Sequence, residues 1–169
     1  QAATIRRLKK CGLHRVKFGI EAGTEHIRNQ IFARPGKNKA ILSLIHEASK
    51  YKVKFRYDLI LDNPYETEES LIETIRLLLQ LPKPRWFNLF SLQYFPEYPL
   101  TRKAIDDGFI SEKDACQETL EIKMARSWGY VPKLFPITKK QILQNVIWLM
   151  AYRDPLDETI EKAVFAESW

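Results

Sequence analysis

Three segments of the chain alternate apolar and polar residues with the period of two that is typical of β-strands. They cover residues 14–21, 53–61 and 85–92. Helical spacing follows each of them, and the helices between them are long enough to cross over a sheet. A strand, a crossover helix and a second parallel strand form a right-handed unit, so this order predicts a βαβαβ arrangement with a parallel sheet.

The pattern changes after Gly108, and the remaining residues have helical spacing only. We expect helices over residues 112–127, 138–152 and 156–167, with Thr138 and Gln141 forming a capping box for the second of them. The chain is therefore divided into residues 1–110, which carry the strands, and residues 111–169, a C-terminal helical region. Trp128, Trp148 and Trp169 of that region are expected to be core or contact aromatics.

Composition places the chain among globular proteins, with 45% hydrophobic and 28% charged residues. No apolar run approaches the roughly 20 residues that cross a bilayer, so we predict no transmembrane segment and a cytoplasmic location. Cys11 and Cys116 are too few and too far apart for a metal motif, so no metal ligand is predicted. The net charge of +6 is compatible with an anionic partner, and the basic cluster of residues 6–10 is either a solvated helix face or a phosphate contact.

Polar residues stand near the carboxyl end of each predicted strand, where parallel α/β folds bind their ligands. Glu21 ends the first strand, Asp58 precedes Asp62 and Asn63 at the end of the second, and Asn88 lies on the third. A buried acid costs several kcal/mol unless it is paired or hydrogen-bonded. The sequence therefore predicts a polar ligand site at this edge of the sheet.

Each of these residues has a second interpretation. Asp58 could belong to an internal network with Lys17 or Arg56 instead of contacting a ligand. Arg34 could be a cation at the end of a helix or a fork that binds a ligand carboxylate. For Glu21 we favour ligand contact, since a carboxylate can accept two hydrogen bonds from a ribose diol.

Three segments resemble radical S-adenosylmethionine (SAM) enzymes, and they occur in the order and spacing of that superfamily. Residues 19–35 (GIEAGTEHIRNQIFARP) resemble the segment after the cluster loop, in the variant of the cobalamin-associated subgroup. Residues 57–69 (YDLILDNPYETEE) resemble the next strand and turn, and residues 88–96 (NLFSLQYFP) continue the likeness. The resemblance covers about residues 3–110.

This resemblance implies a partial (βα)6 barrel of the TIM type whose interior holds SAM against a 4Fe–4S cluster. By analogy, Glu21 binds the ribose hydroxyls of SAM and Arg34 its methionyl carboxylate. Asp58 and Asn88 line the barrel beside SAM or the substrate, a small molecule that the sequence does not identify. The implied reaction is reductive cleavage of SAM to a 5′-deoxyadenosyl radical. No catalytic residue is assigned, because the cofactors carry this chemistry.

The chain departs from the family in its cysteines. The family holds its cluster with Cys-x3-Cys-x2-Cys, whereas this sequence contains only two cysteines. We therefore expect the chain to be a C-terminal fragment, inactive alone, whose partner is the upstream half of the same polypeptide. That half would carry the cluster loop and any cobalamin domain. A missing half-barrel also predicts an uncovered sheet edge and self-association of the isolated piece.

Two other functions remain open. The first is a barrel hydrolase or lyase without a cluster, with Glu21 and Asp58 as acid and base. The second is a basic, non-catalytic α/β module that binds RNA. The sequence shows no surface motif in which basic and aromatic residues are interleaved, and this counts against RNA binding.

Overall fold

A computed structural model describes residues 2–116, 129–152 and 157–165. The strands are β1 (Arg15–Glu21), β2 (Lys54–Leu61) and β3 (Trp86–Ser91). A π-helix (Ile27–Ile31) follows β1. The α-helices are α1 (Ala2–Lys10), α2 (Asn38–Ser49), α3 (Glu68–Leu79), α4 (Pro99–Asp106), α5 (Glu112–Cys116), α6 (Lys139–Tyr152) and α7 (Asp157–Phe165).

The three described strands form one parallel sheet in the order β1-β2-β3. This confirms the predicted α/β class and the parallel pairing. The register places Gly19 of β1 opposite Asp58 of β2, and Asp58 opposite Asn88 of β3. Asp58 and Asn88, the polar residues of β2 and β3, therefore lie side by side, whereas Glu21 is opposite Leu59.

The two faces of the sheet differ in chemistry. One face packs under the helices and is apolar; its buried residues are Ile20, Phe55, Tyr57, Leu59, Leu61, Phe87 and Leu89. We call the opposite side the open face. It carries Arg15, Lys17, Gly19, Lys54, Arg56, Asp58, Ile60, Trp86, Asn88 and Phe90.

Helix α6 packs against α3 and β3. Its Leu143, Val146, Ile147 and Met150 are buried in the same hydrophobic cluster as the strands. Thr138 and Gln141 exchange hydrogen bonds at the start of α6, which confirms the predicted capping box. The C-terminal helices thus help to cover the apolar face of the sheet.

Helix α7 is joined to the residue before β3, the buried Arg85. Arg85 donates to the backbone oxygens of Leu79 and Leu81 and forms a two-bond pair with Asp157, each bond being 2.8 Å long. Lys83 also lies 3.2 Å from Asp157. Burial of Arg85 is tolerated because its donors find acceptors, and α7 is held at its N-terminus.

Some expectations need adjustment. The helical segment expected after the first strand contains a π-helix over Ile27–Ile31, where the side chain of Arg28 is buried. Of the helix expected over residues 112–127, only Glu112–Cys116 is described, and Trp128 and Trp169 lie outside the described residues. Trp148 is half-buried against the core, as predicted. Among the described helices, none has the length and apolar character needed to cross a membrane.

Candidate functional site

Glu21 lies in an unusual turn at the end of β1. Its φ is +63°, and the backbone N–H of Ala22 donates to the oxygen of Ile20 at 2.8 Å. A bond across a single residue of positive φ defines the rarer and strained form of γ-turn. The strand register also shifts between Gly19 and Glu21. Backbone strain of this kind is concentrated at functional sites, where the surrounding structure holds it in place.

The turn directs the carboxylate of Glu21 back over Gly19, toward Arg34. Oε1 of Glu21 lies 2.7 Å from Nη1 of Arg34, and the exposed fractions of the two side chains are 8% and 62%. A Cβ on residue 19 would lie 2.3 Å from Oε1 of Glu21. Gly19 is therefore needed for the carboxylate to reach this position. The structure brings together the two residues that the resemblance assigned to SAM.

The environment of Glu21 acts on its pKa in opposite directions. Burial raises the pKa, and the nearby carboxylate of Asp58 raises it further. The guanidinium of Arg34 and the ammonium of Lys17 lower it, and the net pKa is above the ordinary value for a glutamate. Glu21 thus shares one electrostatic neighbourhood with Asp58 and Lys17.

Asp58 is held by two neighbours on the open face. Nδ2 of Asn88 donates to its Oδ1 at 2.7 Å, and Nζ of Lys17 lies 3.0 Å from its Oδ2. The internal network considered from the sequence is therefore present, with Lys17 as the cation. The same contacts place an ammonium, a carboxylate and a carboxamide in a line across the three strands.

Arg28 is the residue that sequence reasoning missed at this site. Its guanidinium is buried and donates to the oxygens of Ile20 at 3.1 Å and Ala22 at 2.9 Å, on either side of Glu21. It also reaches the oxygen of Gly36 and Oδ1 of Asn38. Burial lowers its pKa below the ordinary value for an arginine. Arg28 thus fixes the backbone of the strained turn.

A signal for Arg28 was present in the sequence. Thr24, Ile27, Arg28 and Ile31 have the spacing of one helical face, and the first three are buried. An arginine within an otherwise apolar stripe indicates a buried cation with nearby acceptors.

A second buried polar cluster joins the loop after β2 to α6. Nζ of Lys140 donates to the backbone oxygens of Asn63 at 2.8 Å and Glu66 at 2.7 Å. Burial raises the pKa of Glu66 to about 8, against the opposing effect of Lys140. No local pattern could have predicted this contact, because 74 positions separate Glu66 from Lys140.

The described residues include no cluster of side chains suited to bind a metal ion. Within the part of the chain that the structure describes, no group of three or more His, Cys, Asp or Glu side chains could hold a metal ion. Cys11 is an exposed free thiol. The site is instead suited to an organic ligand, since it combines carboxylate acceptors with guanidinium, ammonium and amide donors.

No model of a known protein family matches this chain, and no protein of curated function matches it.

Proposed function

We propose that the strand-end site binds SAM and that the chain forms part of the partial barrel of a radical SAM enzyme. The proposal depends mainly on the Glu21–Arg34 pair, which a strained turn holds over Gly19 at the carboxyl end of a parallel strand. Ligands of parallel α/β folds bind at this end. The resemblance of residues 19–35 to the superfamily independently assigns the same two residues.

The described residues fit SAM. The carboxylate of Glu21 can accept two hydrogen bonds from a ribose diol. Arg34 is mostly exposed, so its guanidinium can turn from Glu21 to a ligand carboxylate with little loss of buried contact. Gly19 leaves the space that the carboxylate of Glu21 occupies, so that the carboxylate can face the ligand site.

The residues of this chain do not fit a 4Fe–4S cluster, since the sequence has only two cysteines and three on one loop are needed. In this proposal the cluster ligands, and any cobalamin site, belong to other parts of the protein. The contribution of this chain is to bind and orient SAM. Asp58, fixed by Asn88 and Lys17, would line the neighbouring part of the pocket.

The test is calorimetric titration of the chain with SAM. We expect the wild-type chain to bind SAM, and Glu21→Gln to weaken binding about tenfold or more, because hydrogen bonds to a charged group contribute about 1.5–3 kcal/mol. Glu47→Gln is the control: it removes an equal charge from α2, where Glu47 pairs with the exposed Lys50. Absence of SAM binding by the wild-type chain would refute the proposal, and equal affinity of the two variants would remove Glu21 from the site.

A further inference from the structure

The amino-terminal half of the open face carries like charges in register. Arg15 lies directly opposite Lys54, and Lys17 lies directly opposite Arg56. All four side chains are exposed. Adjacent strands are about 4.8 Å apart and successive rows of one face about 7 Å apart. Like charges placed this closely destabilise a sheet, so an arrangement of this kind favours an anion bound from outside.

Internal acids do not neutralise this patch. Lys17 is paired with Asp58, the acid of the next row. Among the described residues, Arg15, Lys54 and Arg56 form no ion pair; Lys54 instead lies over the ring of Trp86, 5.6 Å from its centroid. Three cations on one face therefore lack a counter-charge.

Aromatic rings are interleaved with these cations across the strands. The register continues the row of Lys17 and Arg56 into Trp86 on the edge strand β3, and Trp86 is 37% exposed. Two rows further along, the ring of Phe90 has its centroid 5.7 Å from Nζ of Lys17. Basic and aromatic residues that are scattered in the sequence are thus adjacent on the surface. This corrects the premise that counted against RNA binding.

We propose that the amino-terminal half of the open face binds single-stranded nucleic acid. Cations that follow a backbone, together with an exposed ring on which a base can stack, are the two elements of such sites. An acidic peptide would be attracted by the cations but would gain no stacking from Trp86. The inference does not depend on SAM binding, which concerns the other end of the face. The inference concerns the sheet as the described residues form it, with β3 as an edge strand and all four cations exposed.

The test is fluorescence anisotropy of a labelled twelve-nucleotide oligo(U) with the whole chain, at several salt concentrations. For single strands, log K falls with log salt with a slope of about −0.7 per neutralised phosphate. Three unpaired cations therefore predict a slope of about −2, or a loss of about 15-fold between 50 and 200 mM salt. The double variant Arg15→Gln, Arg56→Gln should weaken binding and reduce the slope to about −0.7.

Trp86→Leu separates stacking from charge: it should weaken binding about tenfold and leave the salt slope unchanged. The matched control is Arg7→Gln, Lys10→Gln, which removes the same charge from exposed positions of α1. It should retain most of the affinity, and circular dichroism should show that all variants remain folded. The proposal is overturned if the wild-type chain does not bind at 50 mM salt or if the α1 variant loses as much affinity as the sheet variant. Competition by a polyglutamate peptide as effective as by the oligonucleotide would also overturn it, and would instead indicate an acidic protein partner.

Discussion

Replacement of Arg28 by lysine tests whether this buried guanidinium holds the Glu21 turn. Arg28 donates to the oxygens of Ile20, Ala22 and Gly36, which lie in different directions around it. A lysine keeps the charge but offers a single nitrogen on a flexible stem. We expect Arg28→Lys to leave part of this set of acceptors unpaired.

The expected loss of stability depends on how many acceptors of Arg28 are left without a donor. The oxygen of Ile20 keeps the N–H of Ala22 as a donor in the variant. The lysine can satisfy one of the two remaining backbone oxygens, those of Ala22 and Gly36, so about one backbone carbonyl loses its partner, at about 1–3 kcal/mol. The loss of a charge-assisted hydrogen bond adds to this cost, so we expect Arg28→Lys to lower the free energy of unfolding by about 2–4 kcal/mol. For a chain of this size, that loss lowers Tm by about 5–15 °C.

Arg85→Lys is the matched control. Arg85 is also buried, with 8% exposure against 2% for Arg28, and it also donates to backbone oxygens and a polar side chain. The two variants should lose similar stability. Only Arg28→Lys should accelerate amide hydrogen exchange at Ala22 and Arg34, whose N–H groups donate to Ile20 and to the backbone oxygen of Arg28. If both variants change the exchange of these amides equally, Arg28 is an ordinary buried arginine and the reasoning is refuted.

Two further predictions concern other close contacts. A Cβ on residue 23 would lie 2.2 Å from Cα of Thr74. Gly23→Ala should therefore displace α3 and lower the free energy of unfolding, measured by thermal unfolding, by about 1–3 kcal/mol. The control is Gly36→Ala, which should change stability much less because the nearest neighbour of its Cβ would be at 3.8 Å. Burial raises the pKa of Glu66 from 4.5 to about 8, so the folded state binds the proton of Glu66 more tightly than the unfolded state does. The stability that Glu66 contributes is therefore lost as pH rises from 4.5 through 8. Urea denaturation at pH 5 and pH 8.5 should show a smaller decrease in stability for Glu66→Gln than for the wild type, and equal decreases would contradict the assignment.

The strands and helices could be predicted because their signals are local. The alternation over residues 53–61 places Phe55, Tyr57 and Leu59 on one apolar face, and the structure buries all three. The polar edge was predictable for the same reason, since parallel strands bring their carboxyl ends to one side of a sheet.

The contacts that complete the sites depend on tertiary placement. Lys140 meets Asn63 across 77 positions, and nothing near either residue indicates this contact. The basic and aromatic residues of the open face lie on three strands, so they become adjacent only when the register is known. A motif search along the chain cannot detect a motif that runs across the strands.

The unequal exposure of Glu21 and Arg34 limits which ligands can occupy their site. A ligand that pairs with Arg34 but makes no contact with Glu21 would leave the carboxylate of Glu21 buried and without its cation. An unpaired buried charge is strongly destabilising. A ligand that displaces Arg34 must therefore also supply hydrogen-bond donors to Glu21. One molecule that offers both an anionic group and a pair of hydroxyls meets this condition. SAM, with its carboxylate and its ribose diol, has both groups, whereas a simple anion such as phosphate or acetate does not. Titration with acetate should therefore leave the Glu21–Arg34 pair intact, whereas in the proposed binding mode SAM should separate it.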